Sequence, residues 1–139
     1  MNNFAIARER LEQNTDICGV LNASYGAFMT LLDVVKEQQD RGGPLFAAFV
    51  IAGVSVASGR FAIAEAPSLS VSARMEPTQR ARDGGGSAED AAAAIADLCR
   101  VMIRRLDDVA LIADVRDRRA CREASRHARA LCARLGGAP

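Results

Sequence analysis

The chain has 139 residues, half of them apolar, and a formal net charge of +1. That length supports one domain with a sizeable core, and the apolar share excludes a chain disordered throughout. A near-zero net charge selects no particular partner, although residues 1–99 carry 8 basic and 12 acidic side chains and residues 100–139 carry 10 and 5. With only 5 Phe, 1 Tyr and no Trp, the core must be built from Ala, Leu, Val and Ile, which suits closely packed helices.

Residues 3–41 carry a helical pattern. Phe4, Leu11, Cys18, Tyr25 and Leu32 recur every seven residues, with Ala7, Asn14, Leu21, Phe28 and Val35 as a second row. Such a seam belongs to a bundle or coiled coil. Asn14-Thr15-Asp16 is a cap sequence that can break the helix, and Gly42-Gly43 ends it.

The stretch from Pro44 to Ala66 organises the rest. Between Leu45 and Ala64 its only charge is Arg60. As a helix opened by Pro44 and closed before Pro67, it is apolar on two sides. Leu45, Phe49, Ala52, Val56 and Ile63 line one; Phe46, Val50, Gly53, Ala57 and Phe61 line the other. A helix of that kind is buried. Two alternatives remain open. The β-branched residues and a turn at Ser58-Gly59 would allow a hairpin. A membrane span would need about 20 apolar residues, and the run is interrupted at Arg60. A two-residue connection makes the helices before and after Gly42-Gly43 antiparallel neighbours, with Phe28 facing Ser58, Leu32 facing Val54, and Tyr25 close to Phe61 and Arg60.

Residues 67–86 combine Pro67, Pro77, several Ser and Gly84-Gly85-Gly86, which reads as a flexible loop. Ser68 to Ala73 alternates and could be extended. Ser87-Ala88-Glu89-Asp90 resembles a capping box. From it a helix runs to about residue 113 with the stripe Ile95, Cys99, Met102, Leu106, Val109 and Ala113. A turn near Asp114 to Asp117 leads to a last helix ending at Leu135, with Cys121, Ala124, Ala128, Leu131 and Leu135 inward. The expected fold is all-α: a four-helix bundle formed by a long N-terminal helical hairpin, a mobile loop at 67–86 and a second helical pair, in a single domain over 1–139.

No cofactor motif is present. Cys18, Cys99, Cys121 and Cys132 include no Cys-x-x-Cys pair, and His127 and Cys121 are too far apart in helical azimuth to share an ion, so no metal site is expected. His127 reads as a surface histidine. Arg118, Arg122, Arg126 and Arg129 share one helical stripe that could neutralise phosphates, but no recognition helix accompanies it, and a nucleic-acid partner is not expected. The N-terminus lacks the pattern of a secretory signal, so a cytoplasmic protein without a membrane partner is expected.

The remaining chemistry centres on Arg60. A guanidinium inside an apolar hairpin must be paired, or must reach water along its stem. Tyr25, Asn22, Ser55 and Ser58 are the polar residues beside it, and Gly53, Ala57 and Gly59 leave space. The functional expectation is a small-molecule-binding bundle whose Arg60 holds an acidic or anionic organic ligand. Asn22, Ser55 and Ser58 would line the site, with Tyr25 and Arg60 as acid/base and anion stabiliser if chemistry occurs. The surplus of apolar surface on residues 44–66 also points to a homodimer. The alternatives are a protein-interaction module and an Arg-rich-helix nucleic-acid binder.

Overall fold

A computed structural model describes residues 3–75 and 86–136. Among them lie six helices and no strand: α1 (Asn3–Gln13), α2 (Ile17–Arg41), α3 (Phe46–Ala64), α4 (Val71–Met75), α5 (Ala88–Ala110) and α6 (Val115–Leu135). The all-α bundle expected from the sequence is therefore present. The four long helices close a ring in which α2 packs on α3, α3 on α6, α6 on α5, and α5 back on α2. Helix α1 covers the seam between α2 and α5.

The first helix breaks where the cap sequence stands. Asp16 Oδ1 accepts from the Gly19 amide at 3.2 Å, and Asn14 Nδ2 donates to the Arg10 carbonyl at 2.6 Å, so both helix ends at the break are satisfied locally. After the break the first heptad row turns partly out of the core and the second stays within it. Cys18 is exposed and Tyr25 and Leu32 are only partly buried, while the inward line of α2 runs Val20, Ser24, Ala27, Leu31, Val34 and Gln38, with Leu21, Phe28 and Val35 beside it.

The connection from α2 to α3 has four residues, not two. Gly42 and Gly43 both take positive φ, a conformation glycine adopts without penalty. Pro44 and Leu45 then form a turn before α3 starts at Phe46. The longer turn moves the register: an added Cβ on Gly59 would meet the Phe28 ring, and Gln39 Nε2 donates to the Phe49 carbonyl at 3.1 Å. Phe28 thus faces Gly59, one residue beyond the expected Ser58.

The reading of 67–86 as a loop holds in part. Residues 67–70 turn, but Val71–Met75 form α4 in place of an extended piece, and residues 76–85 lie outside the described residues. Asp117, itself buried, ties the turn to α6 by accepting from the Ser68 amide at 3.1 Å and from the Ser68 hydroxyl. Ser87 caps α5, its Oγ accepting from the Asp90 amide, and Asp114 caps α6. The inward stripes of α5 and α6 are buried as read, apart from Leu135, which is half-buried.

Helix α3 departs most from expectation. One side is buried through Phe49, Ala52, Val56, Gly59 and Ile63. The other side is not: Phe46, Val50, Ile51, Val54 and Phe61 are all exposed, Val54 to 66% and Phe61 to 67%. By length and composition alone, α2 and α3 could each cross a membrane.

Candidate functional site

At about 100° per residue, Phe46, Ala47, Val50, Ile51, Val54, Ala57 and Phe61 fall on one outward face of α3. From Phe46 to Phe61 the face is about 22 Å long at 1.5 Å per residue. A continuous apolar strip of this kind is often a functional surface. Nothing in the local sequence turns it inward, because α3 has no polar side to compete for solvent. It starts without a side-chain cap and owes its stability to packing against α2 and α6.

Between α3 and α6 lies a groove of about 610 Å³ that shares the edge of this face. Its apolar wall is Ala57, Phe61, Ala62 and Ala120, and its polar wall is Ser58, Glu65, Arg116, Arg119, Glu123 and His127. The C-terminal end of α3 meets the N-terminal end of α6, since Ser68 just beyond α3 bonds to Asp117 in the first turn of α6. The small residues Ala57, Ser58, Ala62 and Ala120 open the groove. Glu123 is engaged with Arg126 and stands 3.4 Å from His127 Nε2. Among the described residues, no ion pair or hydrogen bond fixes the side chains of Arg116 and Arg119.

Of the five candidate site residues Tyr25, Arg60, Asn22, Ser55 and Ser58, only Ser58 lines this groove. Asn22 lies in a separate hollow with Arg10, Asn14, Ser70 and Ser72, where its Oδ1 accepts from the Ser70 amide at 3.1 Å and fixes the turn before α4. Arg60 sits half-buried at the α2–α3 margin, and its Nη1 donates to Met29 Sδ at 3.5 Å. Tyr25 is partly buried against the core one turn before Met29, and Ser55 is half-buried on α3. The five are not gathered in one cavity. No family model, curated protein or solved structure matches the chain.

The sequence reading missed Phe61, Arg116, Arg119, Glu123 and His127 as a group. The signal was available: 116, 119, 123 and 127 step by three and four along α6, a stripe adjacent to the one formed by Arg118, Arg122, Arg126 and Arg129. In that second stripe Arg118 donates to the Ala110 and Ala113 carbonyls, Arg126 to Glu123 and Arg129 to Asp107. These arginines brace the α5–α6 corner and neighbouring acids. Among the described residues no three of His, Cys, Asp and Glu gather where they could hold an ion.

The thiols divide by exposure. Cys18 is exposed and the other three are buried. Burial pushes the Cys121 thiol up to about 11, with Asp117 and Asp107 adding to the effect. Burial raises Cys99 further, Cys132 adding and Arg100 opposing. A buried protonated thiol behaves as a small hydrophobe, not a nucleophile.

Proposed function

We propose that the chain is a protein-interaction module that self-associates through the outward face of α3. The observation that carries this reading is the single row Phe46, Val50, Ile51, Val54 and Phe61, exposed on a helix whose other side is fully packed. Burying such a row against a second apolar surface removes water from it at roughly 25 cal/mol per Å², and the charge-poor centre with Arg60, Glu65 and the α6 side chains at its margins has the layout of an interface core and rim. The test is sedimentation equilibrium of the purified chain beside Val54→Glu. The expected result is a dimer that the substitution converts to a folded monomer. A wild-type chain that stays monomeric at about 100 μM, well above the micromolar Kd of a modest complex, refutes self-association.

A second reading is favoured by Arg116 and Arg119. These two guanidiniums stand on the α6 wall of a groove whose α3 wall is Ala57, Phe61 and Ala62 with Ser58 and Glu65 among them, an arrangement that offers an organic anion two cationic partners and an apolar surface for its body. It keeps the small-molecule, anionic-ligand expectation but moves it from Arg60 to the α3–α6 groove. Thermal shift with anilinonaphthalene sulfonate, against Arg116→Ala/Arg119→Ala, tests it. Stabilisation that survives the double substitution removes the groove from consideration.

A further inference from the structure

The outward face of α3 is patterned by size as well as by polarity. Val54 stands at its middle. Phe61 and Ala47 lie seven residues to either side, both close to the centre line. On one side of that line lie Ile51 and Ser58; on the other lie Val50 and Ala57. Each pair joins a large residue and a small one, and each pair is placed almost symmetrically about position 54. Turning a copy of α3 by a twofold axis through Val54, perpendicular to the helix, keeps each side of the face on the same side and reverses the direction. Phe61 then meets the partner's Ala47, Ile51 meets the partner's Ser58, and Val50 meets the partner's Ala57. Phe61, Ile51 and Val50 each fall on a small side chain, Val54 falls on itself, and Phe46 lies at the end of the face beyond these pairs.

From this symmetry we infer that two copies of the chain pack α3 on α3, antiparallel, about a twofold axis at Val54, and that the partner's α3 closes the α3–α6 groove. The inference rests on the self-association reading and goes beyond it in fixing direction, register and the fate of the groove. A bilayer needs evenly spread apolarity and has no use for alternating size. A parallel pairing would stack Phe61 on Phe61 and Ala47 on Ala47, leaving clashes and voids in turn. An isologous contact also closes, so it ends at two copies. The five large side chains expose on the order of 450 Å² per copy, taking about 200 Å² for a bare Phe and less for Val and Ile. With the small residues between them and the α6 margin added, the face approaches the roughly 800 Å² per partner of a standard interface. The groove is drawn in because Ser58 lies on its wall: the partner's Ile51 comes down over Ser58, and the partner's Ala47 lies beside Phe61. The open slot between α3 and α6 becomes a chamber bounded by two chains, present twice in each dimer.

Cysteine cross-linking tests the arrangement in the full chain with Cys18→Ser, since Cys18 is the one exposed thiol among the described residues. Val54→Cys should form a covalent dimer with a short bismaleimide in high yield. Phe46→Cys should not, because its two copies stand about 24 Å apart, eight residues from the axis on each side at 1.5 Å per residue. Ile51→Cys mixed with Ser58→Cys should give a cross-linked species several times more abundant than either alone. Closure of the groove is read from the Ser58→Cys thiol, which should react with a maleimide at least tenfold more slowly above the dimer's dissociation constant than below it. A sedimenting dimer in which Phe46→Cys cross-links as well as Val54→Cys overturns the antiparallel register and leaves self-association standing. A monomer overturns both. A dimer whose Ser58→Cys thiol stays fast overturns the closure. Binding to phosphatidylcholine/phosphatidylglycerol vesicles that Val54→Glu abolishes, with no dimer in their absence, assigns the face to lipid and overturns the inference.

Discussion

Gly59→Ala is the sharpest probe of how α2 and α3 meet. Gly59 is buried, and a Cβ built there would press into the Phe28 ring, whose edge atoms lie well inside van der Waals contact. Phe28 is itself fully buried, so the ring has no solvent to swing into. Two effects oppose each other. Alanine is a better helix former than glycine by about 1 kcal/mol. Overpacking a close-packed core costs about 1–3 kcal/mol. The clash is with a rigid ring and not with the end of a flexible chain, so the steric cost should win, leaving a net loss of up to about 2 kcal/mol. For a chain of this length that corresponds to a Tm lower by up to roughly 8 °C. Urea denaturation at one fixed protein concentration is the assay, because association would otherwise shift the midpoint. Gly26→Ala is the internal control: no neighbour lies within 4 Å of its added Cβ, so the propensity gain should appear alone, as stabilisation of up to about 1 kcal/mol. Phe28→Leu in the Gly59→Ala background should recover part of the loss, giving a coupling of at least 0.5 kcal/mol between the two sites, within the range for residues in contact. If Gly59→Ala stabilises as Gly26→Ala does, Phe28 does not pack on Gly59 and the hairpin register described above is wrong.

Two other substitutions and two measurements on the thiols probe separate parts of the molecule. Arg60→Met should change stability by less than about 0.5 kcal/mol, because the guanidinium's hydrogen bond is to Met29 Sδ and it makes no ion pair among the described residues; a loss of 3 kcal/mol in urea denaturation would reveal a buried partner carboxylate. Asp117→Ala strips the acceptor from the Ser68 amide and hydroxyl and should cost about 1–3 kcal/mol, with protease sensitivity rising first around residues 67–70; a cost under 0.5 kcal/mol would show that the turn does not depend on this anchor. Native protein at neutral pH should release colour from an aromatic disulfide reagent with one fast thiol, Cys18, and three slow ones. Unfolded thiols ionise near 9, whereas Cys121 holds its proton to about 11; the unfolded state therefore binds fewer protons in that window and stability falls as pH rises through it. The urea midpoint should be lower at pH 10 than at pH 8, and equal midpoints would contradict the burial of these thiols.

Much of the fold could be read in advance, and the failures have physical causes. Periodicity located α5 and α6 because their inward stripes are flanked by charges, so only one rotation about the axis hides the apolar residues. The caps at Asp16, Ser87 and Asp114 are local chemistry and need no tertiary information. Of the two heptad rows in residues 3–41, the second stays in the core through Leu21, Phe28 and Val35, while the first leaves it after the cap break at Cys18, Tyr25 and Leu32. The residues grouped around Arg60 are not gathered in one cavity, for a related reason. The grouping assumed a two-residue turn, and two further residues between α2 and α3 moved each facing pair, with Arg60 at the margin of the hairpin. The α3–α6 groove joins residues 57–65 to 116–127, a pairing no spacing within either helix encodes; only the stripe along α6 hinted that those residues act together.

Helix α3 shows where pattern reading loses its footing. Amphipathicity tells which side of a helix is buried by contrast, and a helix with Arg60 as its sole charge offers almost none. Either side of α3 would fit a core equally well on composition. What separates them is where α2 comes close. The side that packs within the chain carries Phe49, Val56 and Ile63 together with Gly59, which admits the Phe28 ring, and Gly53 lies near Gln39 and Val35; the outward side carries bulk at 46, 50, 51, 54 and 61 with small residues between. A strip meant only to be hidden inside one chain would be under no constraint to alternate about a midpoint. The alternation about Val54 is therefore the feature that distinguishes a surface built to meet its own copy from apolar residues left outside by a crowded core. Val54→Leu and Ala57→Val separate the two directly. Each adds one or two methylenes and leaves the face apolar, so a face that merely avoids water should associate as well or better, by up to about 0.8 kcal/mol per added CH₂. A face that interlocks should lose about 1–3 kcal/mol on overpacking, roughly a 5- to 150-fold weaker dimer at 1.4 kcal/mol per decade. Sedimentation equilibrium that finds both variants associating more tightly than the native chain would refute the interlocking register.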